Sequence, residues 1–378
     1  MDVSEEMKKG FEYVNAGELK SAHRLYSRLA RKGVKEAQFN LGLLYSDIHN
    51  AKHDPKKALK WYTKAADQGM VEAMVNLGAM YCDGIHVGQD YVRAREFFEK
   101  AAFAGYTLAQ LRLGMMYENG HGVDKDYAQA AAWYRSAAEQ DSAEACIALA
   151  RLYGFGWGVR KSETTAINFL EKAIKLGSAD AMELLATLYY YGEGVAKSHK
   201  KAFDLFQQAA AKGNSTAQTA LGMMYMDGEG TKASPEMAIA WFKIAAAQGN
   251  TEAQFNLAVA YDFGNHVAQD YKEAAKWYAM AADGGNADAL CNLGDMFENG
   301  RGVEQDFEKA FALYSDAAEK GSWLAVCSLG DMYLKGEGVT ASREKAIELY
   351  TESAEHGCEE AVEELKKLNA PVPAVKEN

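Results

Sequence analysis

The sequence predicts an all-α repeat solenoid, and three observations carry that prediction. A leucine recurs at Leu41, Leu77, Leu113, Leu149, Leu185, Leu221, Leu257, Leu293 and Leu329, each 36 residues after the last. A second set, Ala58, Trp61, Tyr62, Ala65 and Ala66, returns as Ala130, Trp133, Tyr134, Ala137 and Ala138, and again as Ala274, Trp277, Tyr278, Ala281 and Ala282. Between the two sets lie glycine loops such as Gly120-His121-Gly122-Val123, Gly192-Glu193-Gly194-Val195 and Gly300-Arg301-Gly302-Val303. A 378-residue chain would ordinarily suggest a few globular domains, but this period makes it one array of stacked units.

Taken in order, residues 1–33 follow a shorter spacing, with nine residues from Tyr13 to Ala22 where the later units have thirteen from Tyr45 to Ala58. From residue 34 each unit opens with helix A. Alanine stands four before the leucine, Gly or Ala one after it, and Tyr or Phe four after it, all on one helical face. Helix B follows a polar cap: Asp54, Asp90, Asp126, Ser162, Ser198, Ser234, Asp270, Asp306 or Ser342. Pro55 and Pro235 stand directly after the cap, where a missing N–H costs nothing. Helix B ends at Gly69, Gly105, Gly177, Gly213, Gly249, Gly285, Gly321 and Gly357, a series that Asp141 breaks. Asn214, Asn250, Asn286, Ser142, Ser178 and Ser322 then offer caps to the next helix A. In the A–B loops Ser46 to His53 lack the glycine pair, and His86 and His266 replace its second member.

These columns are similar to those of the Sel1-like repeat family, a relative of tetratricopeptide repeats. Nine such units cover 34–357, and 1–33 resembles one tetratricopeptide unit with its characteristic Gly10, Tyr13, Ala22 and Tyr26. The resemblance implies a right-handed α/α superhelical solenoid. Residues 358–370, with Ala361 and Leu365 in register and Glu and Lys around them, make a C-terminal capping helix, and 371–378 a disordered tail.

Composition excludes several functions. Asp plus Glu number 53 against 41 Lys plus Arg, so the electrostatic footprint of a nucleic-acid binder is missing. No apolar run is long enough to span a bilayer, and the N-terminal residues do not read as a secretory leader. Five cysteines, odd in number and unpaired within units, suit free thiols in a reducing compartment, so a cytoplasmic location is expected.

Catalytic motifs dissolve on inspection. Ser198-His199-Lys200-Lys201 and Ser342-Arg343-Glu344-Lys345 match the Ser-x-x-Lys pattern, yet both serines stand where other units carry a capping aspartate, which is no substitute for a serine nucleophile. The Gly-x-Gly-Val loops lack the Gly-Lys of a phosphate cradle. His49 and His53 lie in the irregular first loop without a third convergent ligand, so no metal is expected, and no cofactor. Cys291 and Cys327, in equivalent places of adjacent units, are expected about 8–10 Å apart at Cα, too far for an easy disulfide.

By resemblance to tetratricopeptide repeats, helix A lines the concave binding surface. The inward positions are then two and one before the leucine, and two, five and six after it. Two before stand Phe39, Val75, Leu111 and Ile147 among others, and two after stand Leu43 and Met115, then Asp295 and Asp331 in the last two units. The lining thus runs from apolar to acidic, helped by Asp262 and Glu298, and its apolar members either form an exposed strip or pack between helices. One before the leucine, Asn40, Asn76, Arg112, Asn256 and Asn292 form a ladder suited to gripping a peptide backbone. Its first three members resemble part of the carboxylate clamp of peptide-binding tetratricopeptide domains, although Glu36 and Glu72 stand where that clamp carries lysines. Phe155 and Trp157, with Tyr190 and Tyr191 one unit on, make a third candidate, an aromatic hot spot.

The function expected is a non-enzymatic scaffold or adaptor holding a protein or peptide on the concave face. The alternatives are an immunity or inhibitor protein that neutralises a toxin and, more distantly, a cell-wall or β-lactam hydrolase of the kind claimed for secreted relatives.

Overall fold

The computed structural model describes residues 2–84 and 87–376. They form an all-α fold of antiparallel helix pairs, with no strand among the described residues. The chain divides into two compact units, residues 1–181 and 182–378. The first holds α1 (Val3–Asn15), α2 (Leu19–Arg31), α3 (Lys35–Ser46), α4 (Pro55–Ala66), α5 (Val71–Asp83), α6 (Tyr91–Phe103), α7 (Thr107–Asn119), α8 (Tyr127–Glu139), α9 (Ala143–Phe155) and α10 (Glu163–Lys175). Helix α11 (Ala179–Tyr191) straddles the division. The second holds α12 (His199–Ala211), α13 (Ser215–Asp227), α14 (Pro235–Ala247), α15 (Thr251–Phe263), α16 (Tyr271–Asp283), α17 (Ala287–Asn299), α18 (Phe307–Glu319), α19 (Trp323–Lys335), α20 (Arg343–Glu355) and α21 (Glu359–Lys367). Odd-numbered helices from α3 to α19 are the A helices, and even-numbered ones from α4 to α20 the B helices.

Helix ends follow the side chains expected to make them. Asp54, Asp90, Asp126, Ser162, Ser198, Asp270, Asp306 and Ser342 each accept a backbone N–H from the first turn of helix B. Ser198 and Ser342 take the N–H of Lys201 and Lys345 at 3.3 and 3.2 Å, so the Ser-x-x-Lys strings are caps in geometry as well as in position. Ser234 departs from the expectation: it accepts no cap hydrogen bond, and its hydroxyl donates to Glu236 Oε2 at 3.2 Å instead. Asn214, Asn250, Asn286, Ser142, Ser178 and Ser322 cap the A helices. Where glycine gives way, the left-handed conformation persists: Asp141 and His266 both hold φ at 61°. His86 lies outside the described residues. The first loop, without its glycines, is organised by the buried Asn50, whose Nδ2 donates to Leu44 O at 3.0 Å.

The core of each unit is built by the predicted columns. Leu41, Leu77, Leu113 and Leu149 in the first unit, and Leu221 and Leu257 in the second, are fully buried among alanines that let neighbouring helices approach. The helix-B aromatic packs closely against the glycine after the leucine. A Cβ added at Gly42 would sit 2.5 Å from Tyr62, and at Gly78 2.6 Å from Phe98, so only glycine leaves room for the ring there. A network that the sequence reading did not pick out joins successive pairs. Gln38, Gln110, Gln218 and Gln254 are buried and donate to the carbonyls of Ala30, Ala102, Ala210 and Ala246. At the C-terminal end, Lys376 N donates to Glu355 O at 2.8 Å and its ammonium pairs with the same residue's carboxylate. Among the described residues no helix is long and apolar enough to cross a membrane.

Candidate functional site

The columns of helix A separate into packing positions and open ones. Two before the leucine, Val75 and Leu111 are only 6% and 7% exposed, packed between helices, the second of the two arrangements open to them in the sequence. Phe39 is half-buried with its ring 5.8 Å from that of Tyr62, Ile147 is half-buried, and Cys291 and Cys327 are buried. All five cysteines are free thiols, and burial pushes Cys291 up to about 12, far from any nucleophilic role at neutral pH. Two after the leucine the side chains do open to solvent: Leu43, Met115 and Met223 are 42%, 37% and 40% exposed.

Three members of the asparagine ladder lie close to buried tyrosines. Asn40, Asn76 and Asn292 stand near the phenols of Tyr26, Tyr62 and Tyr278, each the helix-B tyrosine of the preceding pair, and offset part of the rise that burial gives those hydroxyls. All three asparagines are half-buried at the expected ladder positions. Asn256 is the exception in sequence, because Phe242 stands where the others find a tyrosine. Arg112 is exposed.

The acidic lining also turns inward. Tyr134 donates to Glu118 at 2.6 Å, Tyr278 to Asp262 at 3.3 Å, Tyr314 to Glu298 at 2.9 Å and Tyr350 to Asp331 at 2.5 Å. Most of these carboxylates meet a cation as well. Arg151 reaches Glu118 at 2.6 Å, Arg301 reaches both Asp262 and Asp295, and Lys335 reaches Glu298 at 3.3 Å. Burial and the neighbouring carboxylates push the four phenols well above their ordinary range. Asp295 and Asp331, expected to line an acidic end of the groove, are engaged in these contacts, with 42% of the Asp295 side chain still exposed. Buried hydroxyls need acceptors, and the acids supply them.

The aromatic candidates stay in the open. In the first unit Phe155 is 64% exposed and stacks at 4.6 Å on Trp157, which in turn stacks at 5.3 Å on Tyr127. In the second, Tyr191 is 63% exposed and Tyr190 is half-buried beside it. Phe263, missed by the sequence reading, is equally exposed; it stands six after its leucine, in the column of Phe155 and Tyr191, and that register was the signal for it.

One cleft of about 160 Å³ opens on the helix-A side of the second unit. Tyr190 and Tyr191, Thr187 and Glu183 come from α11, Met223 from α13 and Glu252 from α15. The structure thus brings together members of the two-before, two-after, five-after and six-after columns. Glu252 and Thr216, in the first turns of their helices, are lining residues that the column argument left out. Among the described residues no group of three or more His, Cys, Asp or Glu side chains is placed to hold a metal ion.

A Sel1 repeat model matches the chain in nine consecutive segments, from 35–70 through 323–358. The chain is similar to a protective antigen of uropathogenic Escherichia coli that displays this repeat fold, at 32% identity over 98% of this chain and 82% of that one, with a TM-score of 0.65. It is similar to a Sel1 repeat protein from Oxalobacter formigenes at 32% identity over 83% and 89% of the two chains, with a TM-score of 0.62. An immunity protein from Pseudomonas aeruginosa shares 24% identity over 56% of this chain and 80% of its own, with a TM-score of 0.41, a likeness too slight to argue from. No curated protein matches the chain.

Proposed function

The chain belongs to the Sel1 repeat family, and from that premise we propose that it is a non-enzymatic scaffold that holds a protein partner on the concave face formed by its A helices, in the cytoplasm. One observation carries the reading: large apolar and aromatic side chains stay exposed on helix A, where a packed core would have hidden them. Leu43, Met115, Phe155, Tyr191, Met223 and Phe263 all present more than a third of their surface. Exposed apolar groups of this size cost hydration free energy unless a partner covers them, and aromatic members supply much of the binding energy at interfaces.

The test is site-specific cross-linking in intact cells. A photoreactive residue at Met115 or Met223 should capture a protein partner, whereas one at Lys60 or Gln207, exposed on helix B, should not. Capture from helix B alone, or turnover of a small molecule by the purified protein, would overturn the scaffold reading.

A further inference from the structure

The cleft of the second unit has a chemistry of its own. Phe206 and Met224, both buried, contribute to its lining, Met223 and Tyr191 stand open beside them, and Glu183 and Glu252 bring carboxylates, with no lysine or arginine in the lining. Tyr190 is held from three directions. Its hydroxyl donates to Glu229 at 2.5 Å, its ring stacks on His199 at 4.9 Å, and Tyr191 packs edge-on to it at 5.0 Å with an interplanar angle of 82°. That support fixes Tyr190, and with it the one ring surface on which the exposed Tyr191 packs. Glu183 accepts from Thr187 Oγ1 at 3.1 Å, which steadies one carboxylate, and Glu252 enters exposed from the first turn of α15.

The cleft's size and charge narrow the occupant. Its volume is close to that of a cavity of about 150 Å³ that accepts benzene, so it takes one side chain and not a folded segment. A purely apolar side chain would crowd water away from the Glu252 carboxylate without offering it a counter-charge. A cation on an apolar stem meets every wall: the stem lies against Met223, a flat head stacks on Tyr191, and N–H donors reach the carboxylates. Guanidinium is flat and weakly hydrated, whereas the ammonium of lysine is compact and strongly hydrated. We propose that this cleft is a receptor for an arginine side chain displayed by the partner protein. The proposal rests on the scaffold reading and names the residue type by which the partner is gripped.

The probe is N-acetyl-arginine N-methylamide, titrated into protein carrying 13C-labelled methionine methyl groups, beside the matching citrulline and norleucine compounds. The Met223 and Met224 resonances should shift saturably with the arginine compound and respond roughly tenfold more weakly to citrulline, which keeps the shape and loses the charge. Glu252→Gln and Tyr191→Ala should each weaken the response with the melting curve unchanged. Equal binding of citrulline or norleucine to the unaltered protein overturns the proposal, and so does a titration that leaves Met223 unmoved. Helix-A cross-links without an arginine response at Met223 would refute the arginine receptor and leave the scaffold standing. An arginine response in a protein that cross-links to no partner would uphold the cleft's chemistry and refute the scaffold.

Discussion

Repeats that bury a tyrosine on helix B and repeats that bury a phenylalanine there use one position of helix A in opposite ways. Where Tyr134, Tyr278 and Tyr314 are buried, the residue sixteen before each is Glu118, Asp262 or Glu298, and it accepts the hydroxyl. Tyr62 finds Ser46 at the same distance along the chain. Where Phe98, Phe206 and Phe242 fill the site, the same register holds Cys82, Tyr190 and Met226. A buried hydroxyl demands an acceptor, and a phenyl ring releases the position for other use. In α11 the released position carries Tyr190, which walls the cleft. Tyr350 shows the rule from its exception: Leu334 stands in the register, and the hydroxyl goes to Asp331.

The comparison is most directly broken at Glu118. Glu118→Ala strands the Tyr134 hydroxyl and removes the partner of Arg151, and should cost about 2 kcal/mol. Hydrogen exchange across α7 to α9 will report it locally, where a repeat protein's global melt need not be two-state. Combining Glu118→Leu with Tyr134→Phe, which recreates the phenylalanine arrangement, should recover much of that loss. A double variant as weak as Glu118→Ala would show that the acid serves something other than the hydroxyl.

The reverse change is milder. Phe206→Tyr places a hydroxyl where Tyr190 is already committed to Glu229, and should destabilise α11 to α13 by about 1 kcal/mol. No loss in denaturant unfolding would mean that the position still offers an acceptor.

The smallest effect is at Asp331, whose carboxyl burial holds above the ordinary value of 3.8. An acid with a raised folded-state pKa binds protons more readily folded than unfolded, so stability grows as pH falls through that pKa towards 3.8. The unfolding free energy of the wild type minus that of Asp331→Asn should therefore rise on acidification from neutral pH. A difference that falls would show that the charged form, held by Tyr350 and nearby Lys335, is the one the fold prefers.

Much of this was legible in advance. The 36-residue period, the caps and the left-handed turns depend on one residue and its immediate chain neighbours, so a single sequence carries them. The tyrosine–acid pairing of Tyr134, Tyr278 and Tyr314 was legible too, as a shared sixteen-residue offset, but only to a reading that compared columns across the two helices. Leu43 and Leu111 look alike as leucines near the same signature residue, yet one is 42% exposed and the other 7%. No property of either residue distinguishes them; the position of the next helix does.

The sequence by itself determined the all-α repeat, its register and the ends of its helices, because hydrogen bonds to the nearest backbone and steric limits on φ act within a few residues. Only the tertiary structure decided which columns face solvent, that the acids serve buried tyrosines, and that α11, α13 and α15 leave a cleft between them. Those outcomes depend on which side chains stacked helices bring within van der Waals and hydrogen-bonding distance, and residues 16, 33 or 39 apart in sequence meet only when the helices pack.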